Sequence, residues 1–432
     1  MSHLDPVINA PGPKRLLSID GGGIRGLIAI EFIARMEALL RERFGQPHLV
    51  LSQYFDYIAG TSTGAIIGTL ISLGYSAADI RRFYTVGAHT MFDPNLFQRA
   101  ARRTNGPFRV LLGVIGQLFY RAMYQPGPLE REIKQVLDDP LPGEADSEGR
   151  VTTLGTEKLH TLLLIVTRNA STDSPWPLSN NPRALYNLHS SSDGTPQGSN
   201  LDIPLWKLVR ASTAAPIYFP AEKIVVPGPS GPKEFTFMDG GITVYNNPAF
   251  QLFLMATLPP YNLGWRASER EMLLVSVGTG LCESANLNLS LREMTLLYNV
   301  QSTPAALMRA ATIEQDTLCR IFGRVRPGCV IDEIDSEIGD LLGNRLPLEQ
   351  KLFTYVRYNV ELSEKGLQRI GVSGVDAKAI QPLDNIEHLD ELGLVGGAAA
   401  QHCVRIEDFD GFLDPALIRP RESLLGAADP GA

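Results

Sequence analysis

Residues 54–73 read YFDYIAGTSTGAIIGTLISL. The apolar run Tyr54–Ala59 predicts a buried strand, and the almost wholly apolar run Ala65–Leu73 predicts a buried helix. Between them lies Gly60-Thr61-Ser62-Thr63-Gly64, a G-x-S-x-G turn. Such a turn bends a strand sharply into a helix and exposes the serine hydroxyl at the corner. Gly60 and Gly64 supply the small residues that let the helix approach the strand.

A second glycine turn stands about forty residues upstream, Asp20-Gly21-Gly22-Gly23-Ile24-Arg25-Gly26. It too joins a predicted strand, Arg15–Ile19, to a predicted helix, Gly26–Phe44. That helix carries Ile28, Phe32, Ile33, Met36, Leu39 and Leu40 as its apolar set, with Glu31, Arg35 and Glu42 on another face. Gly45 is placed to end it. Glycine amides at a helix start bind developing negative charge, so the two turns together read as a nucleophile and its oxyanion loop.

Further buried strands are predicted at His160–Thr167 and Met272–Val277, and a helix at Trp206–Thr213. Phe235 and Phe237 alternate in a strand that ends at Asp239. Residues 140–156 and 169–200 are rich in Pro, Ser, Asn and Asp and read as loops. From about Leu289 helical patterns dominate, at Leu291–Ala311, Leu348–Leu362 and Ile386–Ala400. The expected architecture is a three-layer α/β/α sandwich with a mostly parallel central sheet. Its expected divisions are a flexible arm at 1–13, a catalytic core at 14–288, a helical C-terminal portion at 289–420 packed on the core and a tail at 421–432.

Composition narrows the class. The 432 residues are 44% hydrophobic and 20% charged, which supports a sizeable core. A net charge of −8 gives no bulk attraction to nucleic acid. Cys282, Cys319, Cys329 and Cys403 form no C-x-x-C, which reads as reduced thiols in a cytoplasmic protein. The first fifteen residues lack the apolar core of a secretory signal, and no stretch of about 18 apolar residues suggests a membrane span. Membrane contact is therefore expected to be peripheral, at the inner face.

Each turn has a competing reading. Gly21–Gly26 also matches G-x-G-x-x-G, the dinucleotide fingerprint, but the acid at the expected spacing, Glu42, lies inside the first helix. No Gly-Lys-Ser/Thr follows for a phosphate loop. A non-enzymatic nucleotide-binding module on this turn remains an alternative. Ser62 could equally be an ordinary helix cap. As a nucleophile it needs a base. Of the histidines His3, His48, His89, His160, His189, His388 and His402, the last five follow Ser62, the order required for a serine–histidine–aspartate esterase. None has a context that marks it as catalytic. Asp239-Gly240-Gly241 can project a carboxylate from a sheet edge, and partial burial would raise its pKa into the range of a useful base. An Asp-Gly pair is also a common plain turn.

DGGGIRG, then GTSTG, then DGG followed by Asn246-Asn247-Pro248, resembles the patatin-like phospholipases. ASTAAPIYFP at 211–220, VSVGTG at 275–280 and LFTYVRYNVEL at 352–362 extend the resemblance from about Lys14 to Leu413. It implies a lipid acyl hydrolase of the phospholipase A type, acting on phospholipid or another acyl lipid without cofactor, metal or catalytic histidine. Ser62 would be the nucleophile and Asp239 the base. Gly21, Gly22 and Gly23 would line the oxyanion hole with Arg25 supporting that loop, and Gly240 and Gly241 would complete the base's turn. The Thr63 amide, next after the nucleophile, would join the hole. Bacterial members include nucleotide-activated antiphage effectors, which implies a cyclic nucleotide as a candidate activator.

One further segment invites a membrane reading. In Arg99–Arg121 the basic residues Arg102, Arg103 and Arg109 flank an apolar run that includes Leu111, Leu112 and Phe119. It suits a lid or a transient contact with an anionic lipid surface, and equally a core helix with a basic flank.

Overall fold

The computed structural model describes residues 2–91, 124–139, 141, 151–190, 194, 197–216, 218–227, 231–282, 296–329 and 348–420. Its strands are β1 (Lys14–Ile19), β2 (Tyr57–Thr61), β3 (Leu162–Asn169), β4 (Ser174–Ser179), β5 (Glu222–Val226), β6 (Lys233–Asp239), β7 (Met272–Val277), β8 (Leu281–Cys282), β9 (Gly323–Val325), β10 (Phe353–Tyr358) and β11 (Glu361–Leu362). Nine of them form one sheet in the order β5-β6-β3-β2-β1-β7-β10-β9, with β4 paired to β3 off this path. The strands from β3 to β9 in that order run parallel, while β4, β5 and β6 are antiparallel additions. β8 and β11 make a separate two-stranded pair.

Side-chain alternation along the parallel strands divides the core in two. Leu17, Ile58, Leu163, Val275 and Val356 face a large apolar cluster. It is completed by helices α1 (Gly26–Phe44), α2 (Thr63–Ser72), α3 (Ala77–Met91), α4 (Pro126–Leu137) and α5 (Leu205–Ser212). Leu16, Tyr57, Leu164, Leu274 and Tyr355 face a second cluster with α6 (Ala249–Thr257) and with Cys319 of α7 (Leu296–Phe322). A last helix, α8 (Leu389–Cys403), adds Leu392, Val395 and Ala399 to the first cluster. Burying each such side chain contributes roughly 1.5–3 kcal/mol, so both layers stabilise the sheet between them. This is the expected three-layer sandwich.

Several expected elements differ. The strand expected from Tyr54 begins at Tyr57, because Leu51–Tyr54 is a short helical turn. Asp56 breaks the apolar run and takes the Arg15 amide at 2.8 Å and its guanidinium at 3.1 Å. The expected loop 169–200 contains β4, which lines the far edge of β3. The helix expected over Leu348–Leu362 is instead strand, β10 and β11. β10 is buried on both faces, so its sequence FTYVRY shows no polar alternation to reveal its period. Its aromatic and β-branched content is the signal that favours a strand. The C-terminal stretch thus lends β9 and β10 to the central sheet. Nor are all four cysteines free: Cys329 and Cys403 form a disulfide with Cα atoms 5.0 Å apart, leaving Cys282 and Cys319 as thiols.

Candidate active site

Ser62 occupies the corner between β2 and α2 with φ 55° and ψ −122°. A non-glycine residue in such a conformation costs about 1–3 kcal/mol and persists only where its surroundings hold it. Here they do. The Ser62 amide donates to Ser212 Oγ at 2.9 Å, and Thr61 Oγ1 donates to the Tyr245 carbonyl at 2.7 Å. The flanking glycines are required by close approach: a Cβ on Gly60 would lie 2.0 Å from the Gly64 carbonyl oxygen, and one on Gly64 2.2 Å from that of Ile19.

The sheet register brings Asp239 to this corner. β2 pairs with β3 as far as Thr61 opposite Val166. β4 fills the other edge of β3, so β6 continues along the edge that β2 vacates, with Asp239 opposite Thr167. Ser62 Oγ then donates to Asp239 Oδ2 at 2.6 Å. The other carboxylate oxygen accepts the Gly241 amide at 2.7 Å. The turn is pressed onto β3, since a Cβ on Gly240 would lie 2.3 Å from the Val166 carbonyl oxygen.

Asp239 is only 3% exposed. Burial pushes its pKa up to about 7, against the smaller opposing pull of the Ser62 hydroxyl, the Gly241 amide and the Arg210 charge. A carboxylate with that affinity is matched to proton transfer near neutral pH.

The glycine loop stands beside Ser62: a Cβ on Gly21 would be 3.2 Å from Ser62 Cβ. At its root Asp20 is held by both terminal nitrogens of Arg357, at 2.9 and 2.6 Å, and Arg357 also donates to Ser276 Oγ at 2.7 Å. Thr279 Oγ1 donates to the Gly21 carbonyl at 2.8 Å. Gly23 has φ 57°, and a Cβ on Gly22 would lie 2.0 Å from Thr279 Oγ1, so neither position has room for a side chain. The Gly21 amide is already donated to the Asn246 carbonyl at 3.1 Å. The amides of Gly22, Gly23 and Thr63 find no acceptor among the described residues. Arg25 extends from the loop to Cys282 Sγ at 2.5 Å.

The histidines stand elsewhere. His160 donates its amide to Ser72 at the far end of α2, and burial lowers its ring pKa to about 4. His189 pairs with Asp202, and His388 with Glu391, each at 3.1 Å. His402 is exposed in the last turn of α8. Arg102, Arg103, Arg109, Leu111, Leu112 and Phe119 lie outside the described residues. Among the described residues no cluster of three His, Cys, Asp or Glu could hold a metal, and no helix is long and apolar enough to cross a membrane.

Next to the Asp239-Gly240-Gly241 turn is a cavity of about 800 Å³. Ile242, Val244, Leu307, Met308 and Ala311 supply much of its wall, and the ion-paired Arg168 and Asp173 also line it.

The family model for patatin-like phospholipases matches residues 17–253, more than half of the chain and a span that contains both glycine turns and Asp239. The chain belongs to that family. Patatin-2-Kuras 4 of Solanum tuberosum is 26% identical over 272 residues, covering 61% of this chain and 62% of the patatin. An intracellular phospholipase A2 of Caenorhabditis elegans is 28% identical over 277 residues, 61% of this chain and 19% of its own length. The chain thus spans about three fifths of the plant relatives it matches and a fifth of the nematode one. Among solved structures, human GIVD cytosolic phospholipase A2 is similar over 98% of this chain and 63% of its own, with 12% identity and a TM-score of 0.44.

In this member of the family, the residues that sequence reasoning left without a role are Ser212, Asn246, Ser276, Thr279 and Arg357. Each lies in a stretch that carries the family resemblance, yet none has a motif of its own that announces its contact.

Proposed function

We propose that this chain is a lipid acyl hydrolase working through a Ser62–Asp239 dyad. The observation that carries the reading is the 2.6 Å bond from the Ser62 hydroxyl to a buried carboxylate whose pKa is raised to about 7. Asp239 takes the hydroxyl proton as Ser62 Oγ bonds to the ester carbonyl carbon. The resulting oxyanion is received by the free amides of Gly22, Gly23 and Thr63 at the start of α2. Collapse breaks the ester C–O bond, and Asp239 returns the proton to the leaving alcohol. Water then gives a proton to Asp239 and attacks the acyl-serine. Ser62 recovers its proton as the fatty acid departs.

The substrate class is an acyl ester of a membrane phospholipid, with its chain in the apolar cavity beside Ile242–Val244. Contact with the bilayer is transient and at its cytoplasmic face, through the basic and apolar segment 99–121. Replacing Arg102, Arg103 and Arg109 by Ser is expected to weaken binding to anionic vesicles while sparing hydrolysis of a soluble ester. The antiphage role is tested by adding cyclic di- and trinucleotides, where activation is the expected result and indifference ends that role.

The deciding experiment is a short-chain ester assay on wild type, Ser62→Ala and Asp239→Ala. Activity in the wild type alone supports the dyad. An active Asp239→Ala variant, with loss on changing His189, His388 or His402, moves the chemistry to a histidine.

A further inference from the structure

The last turn of α5 reaches both halves of the dyad. Ser212 is completely buried. Its Oγ accepts the Ser62 amide at 2.9 Å and donates to the Val166 carbonyl at 2.7 Å. Two residues on, the Ala214 carbonyl accepts the Asp239 amide at 3.0 Å. Val166 is where β3 changes partner, from Thr61 of β2 at its own level to Asp239 of β6 one residue later. A three-residue segment therefore holds the backbone of Ser62, the backbone of Asp239 and the strand whose edge β2 and β6 share.

The two bonds of Ser212 do different work. A hydroxyl that only satisfied the Val166 carbonyl would need to donate and nothing more. Here its acceptor half is spent on the amide of the one strained residue in the elbow, Ser62 at φ 55°. That bond also turns the Ser62 amide away from an oxyanion, leaving the task to Thr63 and the glycine loop.

We propose that Ser212 is a positioning residue for acyl transfer, holding the Ser62 backbone at the separation where its hydroxyl meets Asp239. The proposal rests on the hydrolase reading above and adds a residue to it. Ser212 touches neither substrate nor reacting atoms; it acts through Ser62.

The position of the base also predicts a signature that packing alone would not produce. The groups facing Asp239 are the Ser62 hydroxyl and the Gly241 amide, with the charge of Arg210 on α5 further off, and all three favour its ionised form. Loosening Ser62 removes one of them, so the pH at which kcat/KM is half-maximal moves upward.

The test measures kcat, KM and the pH profile for a short-chain ester in wild type, Ser212→Ala and Ser212→Cys. Ser179→Ala serves as control, because it removes another buried hydroxyl partner, that of Tyr57 at 2.6 Å, away from the dyad. Expected is a kcat loss of roughly 10–100-fold in Ser212→Ala with KM within about twofold and an upward shift of the pH midpoint. Ser212→Cys, nearly the same size with a weaker acceptor, should fall between and keeps the test alive if the alanine variant does not fold. Ser179→Ala should keep wild-type kcat and midpoint. A folded Ser212→Ala or Ser212→Cys with wild-type kcat and midpoint overturns the proposal, as does an equal kcat loss in Ser179→Ala. Wild type without ester turnover, with and without added cyclic nucleotides, overturns the hydrolase reading itself, an outcome visible before any Ser212 variant is compared.

Discussion

Asp20-Gly21-Gly22 and Asp239-Gly240-Gly241 are the same tripeptide at the end of two strands, and the fold gives them opposite duties. Both aspartates are buried, at 2% and 3% exposure. Asp20 meets the guanidinium of Arg357 in a two-pronged ion pair that raises the affinity of Arg357 for its proton. Its charge is cancelled, and its glycine loop stands beside Ser62. Among the described residues Asp239 has no cation in contact; it receives one amide from its own turn and the hydroxyl of Ser62. The first turn is held still by a neutralised carboxylate. The second keeps a carboxylate whose proton is easily exchanged. In the proposed dyad, a buried acid serves as a base where the fold withholds its counter-ion.

Exchanging each carboxylate for its amide tests that contrast most directly. Asp239→Asn should lower kcat for a soluble ester by about 10²–10⁴-fold, the usual worth of a general base, with the protein still folded. Asp20→Asn leaves Arg357 buried without its partner, so thermal or denaturant unfolding should show a loss of about 3–5 kcal/mol. Equal catalytic losses in two well-folded variants would erase the distinction.

Stability against pH sharpens it. The folded pKa of Asp239 is raised from 3.8 to about 7, so the folded state holds a proton that the unfolded chain releases. The associated stability is present below pH 4 and is lost as pH rises to 7. Above pH 7 the ionised buried carboxylate costs at most about 4 kcal/mol. Asp239→Asn should therefore unfold at a higher temperature than wild type at pH 8 and show no advantage at pH 4. The kcat/KM of the wild type should rise about tenfold per pH unit below pH 7 and level off above it. A flat profile would remove Asp239 from the role.

The smallest effect concerns the cavity beside the second turn. Leu307→Trp should lower kcat/KM for long-chain esters relative to short-chain ones by about tenfold, since each displaced methylene is worth roughly 0.8 kcal/mol. An unchanged ratio would place the acyl chain elsewhere.

Legibility in the sequence followed the range of the interaction. The elbow and the glycine loop are local: strand, turn and helix are contiguous, and the glycines are demanded by contacts such as Gly60 against Gly64. β1, α1, α2 and β7 were readable within a residue or two for the same reason. β10 was not, because burial on both faces removes the alternation that distinguishes a strand from a helix. β4 hides in a polar stretch because it lies at an edge. Asp239 could be nominated from its place after an alternating strand and from the family resemblance. That it meets Ser62, and Asp20 does not, depends on partners far away in the chain.

By itself the sequence determined the chemistry on offer: a serine at a strand-to-helix corner, glycine amides at a helix start and two buried-strand aspartates, all encoded within short windows. Tertiary structure decided the division of labour among them. Arg357 reaches Asp20 across 337 residues, and β6 meets β3 at the level where β2 ends. Such long-range pairings leave no local periodicity, yet they set which carboxylate is paired with a guanidinium and which meets the Ser62 hydroxyl.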